Sequence, residues 1–342
     1  MRSLVEDLCS EECAGRAPGT PEGLAARRVV LKALRAAGLD PHEQDVPGCR
    51  GANVLAKIDG DDPRYVIVGA HFDHLGRQGK KVFWGADDNA AAVAILVDVA
   101  RSLTAKRPDG RGVIFAAFDG EEAPYFLTGG MGSQRFAQDP TAPLDRVDMM
   151  VCMDLVGHAF GPEGLPDDVR QSVFALGAER SAGTADIVDR LTRAEPGVVV
   201  RRADAETVPP LSDYEPFWRR EVPFLFLTNG RWRHYHTPED TPEKLDYPKM
   251  AATARWLERF VRESCARPEP RVAFEAWRAD DAATLRSVID LLGSLAAVSE
   301  EAAVARTMAE HLLDATDRNG RLPKGRRHEV RMLIDAVETR LA

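Results

Sequence analysis

The sequence predicts an α/β sandwich followed by a C-terminal helical extension, on three observations. Short, nearly unbroken apolar runs recur at 53–58 (NVLAKI), 65–70 (YVIVGA), 112–118 (GVIFAAF), 148–156 (DMMVCMDLV) and 222–228 (VPFLFLT). Such runs belong to strands of a sheet covered on both faces. Segments with helical signals separate them, and strand alternating with helix is the pattern of an α/β sandwich. Beyond Cys265 the composition changes: ARPEPR reads as a linker, and the chain after it is helical almost throughout.

Each element has a local reason. At 20–38, Thr20 can cap a helix, Pro21 suits its first turn and Gly38 can close it. Leu24, Val30, Leu31 and Leu34 supply the apolar stripe of that helix. The alanine-rich, apolar segment 88–104 has the length of a buried helix, and 182–193, 212–220 and 243–264 also read as helices. In the tail, Leu285, Val288, Ile289 and Leu292 fit one helical face, and Val304, Met308, His311 and Leu312 another. Asn319-Gly320 breaks the pattern before a final helix carrying Val330, Leu333, Ile334, Val337 and Leu341. The predicted division is therefore a core of 1–265 and an extension of 266–342. The extension reads as a helical hairpin docked on the core, or on a second subunit in a homo-oligomer built through these helices, sooner than as a functional lid.

Composition narrows the functions. A net charge of −9 and a pI near 5.5 argue against nucleic acid as the main partner. No apolar stretch approaches the ~20 residues that cross a bilayer, so no membrane partner is expected. The N-terminus lacks a basic start followed by an apolar run, which gives a cytoplasmic expectation. The five cysteines are scattered and odd in number, so they read as reduced structural thiols.

The chemistry lies where apolar runs end. Five fragments place an acid or histidine there: AHFDH (His71, Asp73), GADDN (Asp87, Asp88), FDGEE (Glu121, Glu122), CMDLVG (Asp154) and YHTPEDT (His236). The carboxyl ends of parallel strands line one crevice, and nitrogen and oxygen ligands converging there suit zinc or a similar divalent ion. The number of carboxylates suggests two ions and a metallohydrolase. Asp73, two residues after His71, is placed to hold the other nitrogen of a ligating imidazole, whereas His74 is read as a bystander. Asp88 or Asn89 would serve as a helix cap, but two acids and an Asn after Gly85 exceed what a cap requires. The functional reading of Asp87 is a carboxylate bridging two metals. In Glu121-Glu122 one carboxylate can bind metal while its neighbour stays free as general base. A buried, unpaired Asp154 would be costly, and a metal partner offsets that cost.

These fragments, in this order, resemble the zinc aminopeptidases of the M28 peptidase family. The resemblance runs from SEECAGRAPGTPEG near residue 10 to HTPEDTPEKLD near 246 and rests on HFDHLG, GADDNAAAVA, FDGEEA, MDLVGH and HTPEDT. It implies a phosphorylase/hydrolase-like three-layer α/β/α sandwich on a mixed, largely parallel sheet, with two zinc ions. By that resemblance Asp87 bridges, His71 and Asp154 hold one ion, Glu122 and His236 hold the other, and Glu121 is the general base. A cis peptide between Asp87 and Asp88 is also implied, and Tyr235 can donate a hydrogen bond to the oxyanion.

The implied activity is hydrolysis of the first peptide bond of substrates with a free N-terminus. Two rivals share part of this reading. Glutaminyl cyclases carry a similar ligand set with one zinc, and a non-catalytic scaffold would use the helical tail. Two local expectations complete the reading. The loop APYFLTGGMGS, longer than is usual in the family, is expected to border the specificity pocket. Arg231, Trp232 and Arg233 read as surface residues sooner than as a site for acidic substrates.

Overall fold

The computed structural model describes residues 1–296 and 299–341. Eight strands form the central sheet: β1 (His42–Val46), β2 (Gly51–Ile58), β3 (Asp62–His71), β4 (Arg111–Phe118), β5 (Val147–Met153), β6 (Ser172–Leu176), β7 (Val199–Ala203) and β8 (Phe224–Thr228). Their order is β1-β2-β4-β3-β5-β8-β6-β7. The four central strands β4, β3, β5 and β8 are parallel, while β1, β2 and the β8–β6 pairing are antiparallel, so the sheet is mixed. His71 pairs with Phe118, Gly69 with Cys152 and Leu227 with Met153. That register brings the carboxyl ends of the four parallel strands to one edge.

Helices cover both faces. On one side lie α1 (Arg2–Leu8), α2 (Pro21–Ala36) and α3 (Ala91–Ala105), packed with Val30, Leu34, Ile95 and the sheet residues Val66 and Val68. Thr20 caps α2 as expected: its Oγ1 accepts from the Gly23 N–H at 3.1 Å. The other face carries α4 (Gly132–Gln138), where Phe136 packs on Phe118. The remaining core helices are α5 (Thr184–Leu191), the short α6 (Glu215–Trp218) and α7 (Tyr247–Cys265). Trp256 of α7 is fully buried and donates its indole N–H to the Leu191 carbonyl at 2.9 Å. All five cysteines are buried and unpaired. Among the described residues no helix is long and apolar enough to cross a membrane.

Strands β1, β6 and β7 of the central sheet and helices α1 and α4 are additions to the sequence reading. β1 is polar (HEQDV) and lies at the sheet edge, where only one side is covered, so it lacks an apolar run. β6, β7 and α4 are five to seven residues long, too short for periodicity to mark them.

The extension folds as α8 (Asp281–Leu295), α9 (Glu300–Asp314) and α10 (Arg327–Leu341) and docks on the core of its own chain. Leu285, Leu291, Leu312 and Val330 share a cluster with Phe160 and Val169. α8 lies against β7 and covers that sheet edge. The expected apolar face of α9 is displaced. Val304 and Met308 are exposed, and the inward stripe is Ala302, Ala309 and Leu312 with Ala305 half-buried, whose alanines carry a weak apolar signal.

Charge fixes the docking. Arg327 reaches Asp204 at 3.3 Å and Asp281 at 2.8 Å and also pairs with Glu206, while Arg202 reaches Asp280 at 2.9 Å. Asp204 and Asp281 are buried, so removing Arg327 leaves two buried carboxylates with backbone N–H donors but without their guanidinium partner. Arg327→Ala is expected to cost about 3 kcal/mol in urea unfolding, at the low end for a broken buried pair. The low end applies because the Arg327 side chain keeps 23% of its surface exposed.

Candidate metal centre

His71 is the last residue of β3, and its Nε2 lies 3.5 Å from Asp88 Oδ1, 3.5 Å from Asp154 Oδ1 and 3.8 Å from Glu121 Oε2. Glu121 and Glu122 follow β4, and Asp154 follows β5. Glu122 Oε1 is 2.7 Å from His74 Nδ1, and Glu122 Oε2 is 3.2 Å from His236 Nε2. His236 Nε2 is also 3.1 Å from Asp88 Oδ2. Two donor groups result, His71/Asp88/Asp154 and His74/Asp88/Glu122, each with its ligand atoms within 4.8 Å of one another. Asp88 belongs to both.

Asp87, expected at the centre, is turned away from it. Its carboxylate accepts from the Gly157 N–H at 2.6 Å, the His158 N–H at 3.0 Å and His158 Nδ1 at 2.7 Å. It thus anchors the loop after β5, and Asp88 takes the shared position. The non-proline cis peptide is likewise one residue on, between Asp88 and Asn89. His74, read as a bystander, faces Glu122 and Asp88.

Three further residues hold the centre in shape. Asp240, inside the HTPEDT fragment, accepts from the Asp87 N–H at 2.9 Å and the Asp88 N–H at 3.1 Å. Arg16 is fully buried and donates to the carbonyls of Phe72, Trp84, Gly85 and Asp88, clamping the end of β3 to the Asp88 segment. A charged side chain among backbone carbonyls leaves no periodic trace in the sequence, although AGRAPGT was visible as a motif. Asp73 presents Oδ1 to the Glu121 N–H and Oδ2 to the Glu122 N–H, both at 3.1 Å, and lies 3.6 Å from His71 Nδ1. It therefore orients the glutamate pair as well as the imidazole. Asp213, buried near this cluster, has its carboxyl pushed up to about 7 by burial.

The charges are those of a cation site. Burial pushes the Glu121 and Asp154 carboxyls upward, and in Glu121 the like charges of Asp154 and Glu122 add to it. Burial disfavours the charged His71 ring, but Glu121 and Asp154 overcome this and raise it well above the usual imidazole range. His236 is raised to about 10 by Asp88 and Glu122, against the opposing effect of burial. Protons and a metal ion compete for such nitrogens. His71 Nε2 and Asp154 Oδ1 are buried without a hydrogen-bond partner. Lone pairs that converge without partners are costly unless a cation satisfies them, and imidazole with carboxylate is a donor set for zinc.

Residues 53–261 match the sequence model of peptidase family M28. The chain belongs to that family. It is 29% identical over 230 residues to the uncharacterized protein YfbL of Escherichia coli (strain K12), across 61% of this chain and 70% of that one. With the glutaminyl-peptide cyclotransferase of Boiga irregularis it shares 28% identity over 296 residues, 72% of this chain and 77% of the relative. The LapA aminopeptidase of Legionella pneumophila superposes with a TM-score of 0.63 at 15% identity, over 79% of this chain and 73% of that one. Its fold is thus shared at an identity too low to carry function.

Beside the donor groups this M28 chain has a cavity of about 320 Å³, bordered by Asp88, Glu121, Asp154 and His236. Leu155, Phe174, Leu176 and Phe226 make its body apolar. The loop at 123–133, expected at the pocket, contributes nothing to this lining. Tyr235 does line the cavity, stacked on His236 with ring centroids 3.8 Å apart. Burial and the surrounding carboxylates drive its phenol upward, so it keeps its proton. The Arg231 guanidinium lies 5.5 Å from the Tyr235 ring centre, and Trp232 stacks on His158 at 4.9 Å. Arg231 and Trp232 are thus part of the site's wall and support, beyond the surface role expected for them.

Proposed function

We propose that this chain is a zinc-dependent aminopeptidase with two ions, held by His71, Asp88 and Asp154 on one side and by Glu122, His236 and Asp88 on the other, His74 buttressing Glu122. One observation carries the reading: Asp88 sets Oδ1 3.5 Å from His71 Nε2 and Oδ2 3.1 Å from His236 Nε2, so one carboxylate serves two donor groups, an arrangement one ion does not need. Bound zinc supplies Lewis acidity, which makes water a nucleophile near neutral pH and polarises the scissile carbonyl.

The protein's own groups do the rest. Glu121 takes a proton from the attacking water and delivers it to the leaving amine, and Asp73 holds the backbone that aims it. Tyr235, kept protonated, donates to the oxygen of the carbonyl under attack. The apolar cavity receives the side chain of the substrate's first residue, so the scissile bond lies against Glu121.

A glutaminyl cyclase is the second reading, favoured by the identity with the Boiga irregularis relative over most of both chains. Metal analysis with two substrate classes separates them. The aminopeptidase reading expects two zinc ions per chain, release of a first residue from peptides with a free N-terminus, and none from N-acetylated ones. Ammonia released from glutaminyl peptides by a protein with one zinc and no hydrolysis would replace it with the cyclase.

A further inference from the structure

The cavity beside the donor groups is built by two parts of the chain. One wall comes from the core, chiefly Leu155, Phe174, Leu176 and Phe226; the opposite wall is Val288 and Leu291 of α8 with Ile334 and Val337 of α10. We propose that the C-terminal extension is a specificity element of the active site: α8 and α10 complete the pocket for an apolar first side chain and set its size limit. This rests on the aminopeptidase reading.

The wall is held in place by specific bonds. Thr284 Oγ1 accepts from the Asp204 N–H at 2.8 Å, and Ser287 Oγ donates to the Arg202 carbonyl at 2.6 Å, so α8 is tied to the end of β7 at the cavity. Glu338 accepts from the Arg231 N–H at 3.2 Å, tying α10 to the loop that carries Tyr235 and His236. Together with Arg327, these bonds fix the distance between the far wall and the donor groups. A pocket of this volume, at the small end of ~300–1,000 Å³ ligand sites, selects by fit. Its body is apolar on both sides, and the charged groups that join the lining away from the donor groups, Arg231, Asp335 and Glu338, carry both signs, so the side chains it favours are those of Leu, Met or Phe.

Val288→Phe and Ile334→Trp fill the cavity from the extension side, and Val337→Ala enlarges it. Each is assayed in the full chain with Leu-, Phe- and Ala-first substrates, alongside calorimetric binding of leucinol and alaninol. The filled variants are expected to lose about 10-fold or more in kcat/KM and affinity for the large side chain, with alanine nearly unchanged. Val337→Ala, the mildest change, is expected to shift preference toward phenylalanine and keeps the test open if a filled variant fails to fold. Folded variants whose Leu-to-Ala ratio stays at the native value would overturn the pocket and leave the peptidase standing. If the native chain hydrolyses nothing but leucinol binding still falls in the filled variants, the aminopeptidase reading is lost and the pocket stands.

Discussion

Glu121→Gln is expected to lower kcat by about 10²- to 10⁴-fold while zinc content is retained, the range for removing a general base. The amide keeps the shape of the side chain, and the backbone grip of Asp73 on the Glu121 and Glu122 N–H groups is untouched. What disappears is the ability to accept a proton. Burial lifts the Glu121 carboxyl well above its ordinary value. Steady-state kinetics and metal analysis on the same preparation check this. Zinc-replete Gln variant turning over within a few-fold of the native rate would remove Glu121 from the reaction. Glu122→Gln should behave differently, because Glu122 faces both His74 and His236 and its loss weakens binding of the ion itself.

The strands that matter most for function were legible because they are buried on both faces. β3, β4, β5 and β8 each present a continuous apolar run, and every one ends in the residue or loop that builds the centre. Edge strands such as β1 and the short β6 and β7 carry no such signature. The place of the extension was not legible either. Its helices were, but that Val288 and Ile334 face the donor groups follows from where α8 docks on β7, a long-range fact carried by charges such as Arg327 and Arg202. His74 was read as a bystander, yet the chain leaves extended structure after His71 and brings His74 to Glu122 and Asp88.

The pair Asp87-Asp88 is where sequence reasoning reached its limit, and it also yields the sharpest experiment. Two adjacent acids differ only in direction, and direction is set by Asp240 and Arg16, which hold the backbone on either side. Asp88→Ala is expected to abolish stoichiometric zinc binding and with it the activity, a larger effect than the ~10–100-fold loss of affinity typical when a supporting residue is changed. Asp87→Asn is such a supporting change. It weakens three hydrogen bonds to a buried carboxylate, and charge-assisted bonds are worth roughly 1.5–3 kcal/mol each. The two variants should therefore separate in the chelator-treated protein. Asp87→Asn loses stability to urea with or without zinc, because its bonds anchor the loop after β5. Asp88→Ala keeps or gains stability without zinc, because it removes one of several carboxylates crowded with Glu121, Glu122 and Asp154. If Asp87→Asn were the variant that lost its metal while Asp88→Ala bound zinc normally, the centre would have to be rebuilt around Asp87.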